Sequence, residues 1–144
     1  MTEPITEFRG FYRFLSNFHP CMIVFDDVVY DSVEKAYQAA KTLNPIEREA
    51  IRTSKNCSIA KNIGQTVHLR DGWGNLRLEM MENFLRQKFS DPDLKHKLVA
   101  TEDAELIEGN FWNDVFFGIC NGVGENHLGK LLMKIREEHK GEIE

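Results

Sequence analysis

No stretch of this chain approaches the roughly 20 consecutive apolar residues that a bilayer-spanning helix needs, so no membrane contact is expected. The opening MTEPITEFRG has no basic segment followed by an apolar one. A secretory leader would show both, so a cytoplasmic location is the expectation. Cysteine is scarce: Cys21, Cys57 and Cys120 are far apart and odd in number. No Cys-x-x-Cys or Cys/His cluster offers zinc-ligand spacing, and each thiol reads as buried or inert. The five histidines have no metal-like spacing either. No metal and no cofactor is therefore expected. A Walker loop, an HExxH pair and a GxSxG elbow are all missing, as are internal repeats and low-complexity tracts. The formal net charge of −5 argues against broad electrostatic binding of nucleic acid. It leaves room for a local basic pocket holding one phosphate or one nucleotide.

What is present suits one compact domain over residues 1–144: 42% hydrophobic, 28% charged, few prolines. EFRGFYRFLSNFHP is aromatic-rich and expected to be partly extended. CMIVFDDVVYDS has two β-branched runs around Asp26–Asp27, the pattern of a β-hairpin. NPIEREAIRTS predicts a helix with Asn44 as N-cap and Pro45 at its first position. CSIAKNIGQ predicts a further turn or two ending at Gly64, and VHLRDGWG a loop or short strand. In NLRLEMMENFLRQKFS, Leu76, Met80, Phe84 and Leu85 recur near helical period. Another helix is expected from Asp91–Pro92. AELIEGNFWNDVFFG has strand-like stretches, and a glycine-rich loop then leads into a C-terminal helix. The fold class expected is α+β, mainly helical, around a small β-sheet.

DSVEKAYQAAK predicts an amphipathic helix. Glu34, Gln38 and Lys41 share one stripe; Val33, Ala36, Tyr37, Ala40 and Leu43 line the other. Asp31 or Ser32 serves as cap, and Asp31 with Glu34 has capping-box spacing. Taken alone, the polar stripe reads as a solvated face, with Gln38 or Lys41 a weak helical partner of Glu34. GVGENHLG, with glycines at 122, 124 and 129, lacks dinucleotide-fingerprint spacing; a tight turn before a helix is the better reading. Trp73 and Trp112 suit either core plugs or stacking platforms.

Three stretches in order, YRFLSNFHP, VEKAYQAAK and GENHLGKLLMKIRE, resemble the NADAR family, which includes YbiA-like N-glycosidases. The likeness runs from about Phe8 to Arg136. It implies an enzyme that hydrolyses the ribosyl C1′–N bond of a phosphoribosyl or ADP-ribosyl compound. The small-molecule substrate would be a riboflavin-biosynthesis intermediate or an ADP-ribosylated guanine, the latter also as a modified base in nucleic acid. The other class of function is a non-catalytic module binding ADP-ribose or an NAD derivative. By the resemblance Glu34 is the catalytic carboxylate, and Lys41 a second catalytic residue. Lys41 would form a Schiff base with an opened ribose, or bind phosphate or a sugar hydroxyl. Ser16, Asn17, Gln38, Trp73, Phe117, Asn126 and Gly129 are the implied ligand-binding positions, with Arg13 or Arg136 as candidate phosphate holders. Three positions depart from the pattern: Lys35 stands where many relatives have His, Phe117 where many have Trp, and Ile119 where YbiA-like relatives have an acid.

Overall fold

The computed structural model describes residues 2–143 and is mainly helical α+β. Among the described residues, seven helical segments accompany two two-stranded sheets, where the sequence suggests one sheet. No described helix is long and apolar enough to cross a membrane. The residues group into two compact units, Asn17–Lys88 and Met1–Ser16 with Phe89–Glu144.

Within Asn17–Lys88, β1 (Pro20–Phe25) pairs antiparallel with β2 (Val28–Ser32). Asp26 and Asp27 turn the chain with φ of 48° and 64°, the left-handed pair that a two-residue hairpin turn requires. Ile23, Phe25 and Tyr30 point into the core. The Gln87 amide accepts from Val24 N at 2.8 Å and donates to Val24 O at 2.9 Å. A side chain thus satisfies backbone groups at the outer edge of β1.

α1 (Val33–Ala40) leaves β2 directly. Ser32 Oγ accepts from Lys35 N at 3.1 Å, an N-cap bond. The Asp31–Glu34 capping box does not form; the Asp31 carboxylate meets Lys35 Nζ at 3.3 Å instead. α2 (Pro45–Arg52) starts as predicted, with Asn44 Oδ1 accepting from Ile46 N and Glu47 N. α3 (Cys57–Gly64) is capped by Asn56. α4 (Trp73–Lys88) begins at Trp73, and its buried face uses Met81 rather than Met80, together with Phe84 and Leu85.

The amphipathic reading of α1 needs correction. All eight of its residues are buried. It packs against both strands and against α2, α3 and α4, so neither face is wet. A helix this short is marginal alone, and its surroundings hold it. Leu43, expected on the apolar face, is 65% exposed because the helix ends before it.

The other unit opens with an extended segment: Ile5 N donates to Glu105 O and Ile107 N to Ile5 O. Within the segment expected to be partly extended, Gly10–Leu15 is a 3-10 helix between extended Arg9 and Ser16; Gly10 enters it at φ 56° and Phe14 and Leu15 are buried. α5 (Pro92–Val99) is capped by Asp91, and α6 (His127–Ile143) follows the glycine-rich loop. The strand-like region yields only β3 (Gly109–Asn110), parallel to β4 (Ile119–Cys120). Local side chains take the backbone donors between them. Asn110 Oδ1 accepts from Asp114 N, and Asp114 Oδ1 from Phe116 N and Phe117 N, at 3.0–3.1 Å. Such bonds compete with a ladder.

Candidate active site

The unit Asn17–Lys88 brings together five of the expected residues. Glu34, 8% exposed, lies in the first turn of α1. Its backbone N–H donates to Asn17 O at 3.0 Å. Gln38, one turn on and 4% exposed, donates from Nε2 to Glu34 Oε2 at 2.6 Å. A short bond to a carboxylate is the strong, charge-assisted kind. Asn17 Nδ2 meets Met81 Sδ at 3.6 Å, while Asn17 Oδ1 is buried with no hydrogen-bond partner. Lys41 caps α1, and its Nζ lies 5.7 Å from the centre of the Tyr37 ring. That ring in turn sits 5.3 Å from Trp73, at 54°. Trp73 is buried, with the Tyr37 ring tilted against it.

Burial pushes the Lys41 pKa below the usual lysine value; the Glu34 charge opposes the fall and Lys61 adds to it. Lys61 lies on α3, one turn before Gly64. Arg70 also belongs here: its N–H donates to Lys41 O at 2.7 Å, and its Nη1 to Ala40 O at 3.4 Å. Three cations thus gather about the end of α1 whose first turn holds Glu34. Lys61 and Arg70 were missed in the sequence. Lys61 reads as a helix surface residue and Arg70 lies in a loop; only packing places them near Lys41.

Lys35 turns away from Glu34. Its Nζ donates to Ser54 O at 2.8 Å and Arg52 O at 3.4 Å, beside Asp31. It ties α1 to the end of α2.

The remaining expected residues belong to the other unit. Arg13 is exposed on the 3-10 helix, and Ser16 follows it, half-buried. Phe117 packs edge-on against Phe116, ring centres 4.8 Å apart. Asn126, buried at φ 54°, accepts from Glu108 N at 3.0 Å and donates to Leu106 O at 2.9 Å. Gly129 is buried where a Cβ would strike Leu106 O and the Asn126 amide. Arg136 Nη1 donates to Ala104 O at 2.7 Å and Thr101 Oγ1 at 3.0 Å. The polar groups of Asn126, and Nη1 of Arg136, are thus engaged within the unit's own chain. Arg136 is 5% exposed, which makes it a brace for the segment before β3.

Known proteins resemble the chain along most of its length. An N-glycosidase YbiA of Shigella boydii is 35% identical over 131 residues, 88% of this chain and 81% of that one. An N-glycosidase of Nostoc punctiforme is 34% identical over 134 residues, covering 88% and 85%. A riboflavin biosynthesis protein of Vibrio vulnificus is 35% identical over 131 residues; the chain spans only 35% of its length. The NMR structure of the E. coli protein YbiA superimposes with a TM-score of 0.84 at 33% identity, over 99% of this chain and 89% of that one. These relatives place the chain among the N-glycosidases. The NADAR domain model matches residues 4–140, and the chain belongs to the NADAR family.

Proposed function

We propose that the chain hydrolyses the ribosyl C1′–N bond of a phosphoribosyl or ADP-ribosyl compound, with Glu34 as the catalytic carboxylate. The observation carrying this is the buried Glu34 carboxylate, bound at 2.6 Å by Gln38, on a helix whose far end gathers Lys41, Lys61 and Arg70. Loss of the base builds positive charge on the sugar, which a carboxylate at C1′ stabilises. As the C1′–N bond breaks, its electron pair leaves with the base nitrogen. Water adds to C1′, gives its proton to Glu34, and that proton passes to the departing nitrogen. The cations suit the anionic phosphate of such a substrate.

The charge distribution favours this unit as the binding surface. Asn17–Lys88 carries 10 of the 18 Lys and Arg and 9 of the 23 Asp and Glu. The acidic excess behind the net charge of −5 therefore lies entirely in the other unit, while Asn17–Lys88 is slightly basic. Lys41 has two roles open to it: an amine that condenses with an opened ribose aldehyde, helped by its lowered pKa, or an ammonium that binds phosphate. Borohydride added during turnover separates them, since only the first leaves a reduced covalent adduct.

The substrate test is a mass-spectrometric screen against riboflavin-pathway phosphoribosylamines, ADP-ribosylated guanine nucleosides and NAD-type dinucleotides. Base release from one class is expected. Glu34→Gln should lower it by about 10²-fold or more with an unchanged melting profile. A folded Glu34→Gln variant with wild-type rate would remove Glu34 from the reaction.

A further inference from the structure

We propose that Gly64 and Gln38 are positioning residues for Glu34: the bare Cα of Gly64 on α3 leaves the space in which the Gln38 carboxamide lies, and that carboxamide aims Nε2 at the Glu34 carboxylate. The inference rests on Glu34 being the catalytic group.

Gly64 does not have the left-handed backbone that would call for glycine; it is the last residue of α3. Its reason is space. A Cβ there would collide with Gln38 Oε1 and crowd Cδ and Cβ of the same side chain, and these are the nearest atoms it would meet. The bare glycine leaves that space to the amide oxygen. Gln38 Oε1 is buried with no hydrogen-bond partner. Burying a carbonyl in this way is costly, and it persists here because the other end of the amide is bound. At 2.6 Å the orientation is chemically determined. Reversing the amide would set two oxygens face to face, tenable only if Glu34 carried a proton. Asn17 O holds the Glu34 backbone from the other side. A loop thus holds the Glu34 backbone, α1 supplies the donor to its carboxylate, and α3 leaves the room that donor needs.

The test reads the carboxylate directly and needs no substrate. The Glu34 side-chain carboxyl is followed by carbon-13 NMR across pH in wild type, Gln38→Met, Gly64→Ala, Gln38→Ala and the double variant Gln38→Ala/Gly64→Ala. Losing a charge-assisted donor moves a carboxylate midpoint upward by about one pH unit. That shift is expected in Gln38→Met and, through displacement of the amide, in Gly64→Ala. In the Gln38→Ala background, Gly64→Ala should add no shift, because nothing remains to displace. A Gly64→Ala midpoint equal to wild type, or an equal shift with and without Gln38, would overturn the proposal. If Gly64→Ala alone fails to fold, Gln38→Ala must restore folding; failure to do so overturns it equally. On a substrate that wild type cleaves, Gly64→Ala should lower kcat about tenfold and leave KM alone. These outcomes are independent of the Glu34→Gln assay, so the clamp and the catalytic reading can fail separately.

Discussion

At the scale of single residues, Lys35 shows how burial reassigns a charge. It follows the catalytic candidate directly, yet its ammonium is spent on Ser54 O, Arg52 O and Asp31. Replacing it by Met keeps most of the stem and removes the donors, leaving two carbonyls short of a partner. We expect a loss of about 1–3 kcal/mol. In urea unfolding this appears as a lower midpoint with an unchanged m-value. No loss would mean that water takes the place of the ammonium at the end of α2.

At the scale of elements, α1 decides the geometry of the site, and it is short. Its N-cap bond, Lys35 N to Ser32 Oγ at 3.1 Å, fixes where the helix starts and so where Glu34 points. Ser32→Ala should cost about 1 kcal/mol, with faster amide exchange in α1 than a surface cap would produce, because all the other elements of the unit pack on it. At its other end, α3 and the loop before α4 bring Lys61 and Arg70. If these hold the substrate phosphate, Lys61→Met and Arg70→Gln should each weaken ribose 5-phosphate about tenfold, or about 1.4 kcal/mol. Neither should affect unphosphorylated ribose. Calorimetry at two salt concentrations checks it, since screening erodes the same term. Arg70→Lys separates the charge from the guanidinium bond to Ala40 O.

At the scale of the whole molecule, stability should depend on pH through a lysine outside the proposed chemistry. Lys88, at the end of α4, is 0% exposed. Burial pushes its pKa down to about 7, with Cys21 opposing the fall. Below about 7 both folded and unfolded chains carry this proton, and the buried charge is a full penalty. Above it the folded chain releases the proton while the unfolded chain keeps it. The unfolded state then binds more protons, so stability rises with pH. Burial also raises the Cys21 thiol above its usual 9.0. That term has the opposite sign once unfolded thiols ionise, so the rise should level off near 9.0. Melting temperature should climb by about 5 °C between pH 7 and 9, and Lys88→Met should flatten the slope. An unchanged slope in that variant would place the pH dependence elsewhere.

What the sequence determined by itself was local. Asp26–Asp27, Asn44–Pro45 and Asp91–Pro92 each satisfy or forbid backbone groups within a few residues, and each marks its turn or helix start correctly. The ordered motifs likewise indicated the family and singled out Glu34. Tertiary structure decided the rest. The stripe of Glu34, Gln38 and Lys41 looks solvated because helical period reports which residues share a face, not what covers it. Burial on every side of α1 turned Glu34 and Gln38 into an enclosed, bonded pair, with Lys41 half-buried at the helix end. Gly64 ends a short helix in the sequence with nothing to mark it, because its value lies in space left for a side chain 26 positions earlier. Lys61 and Arg70 carry no local signal for the same reason. Charges that converge from separate segments become a site only when the chain is packed.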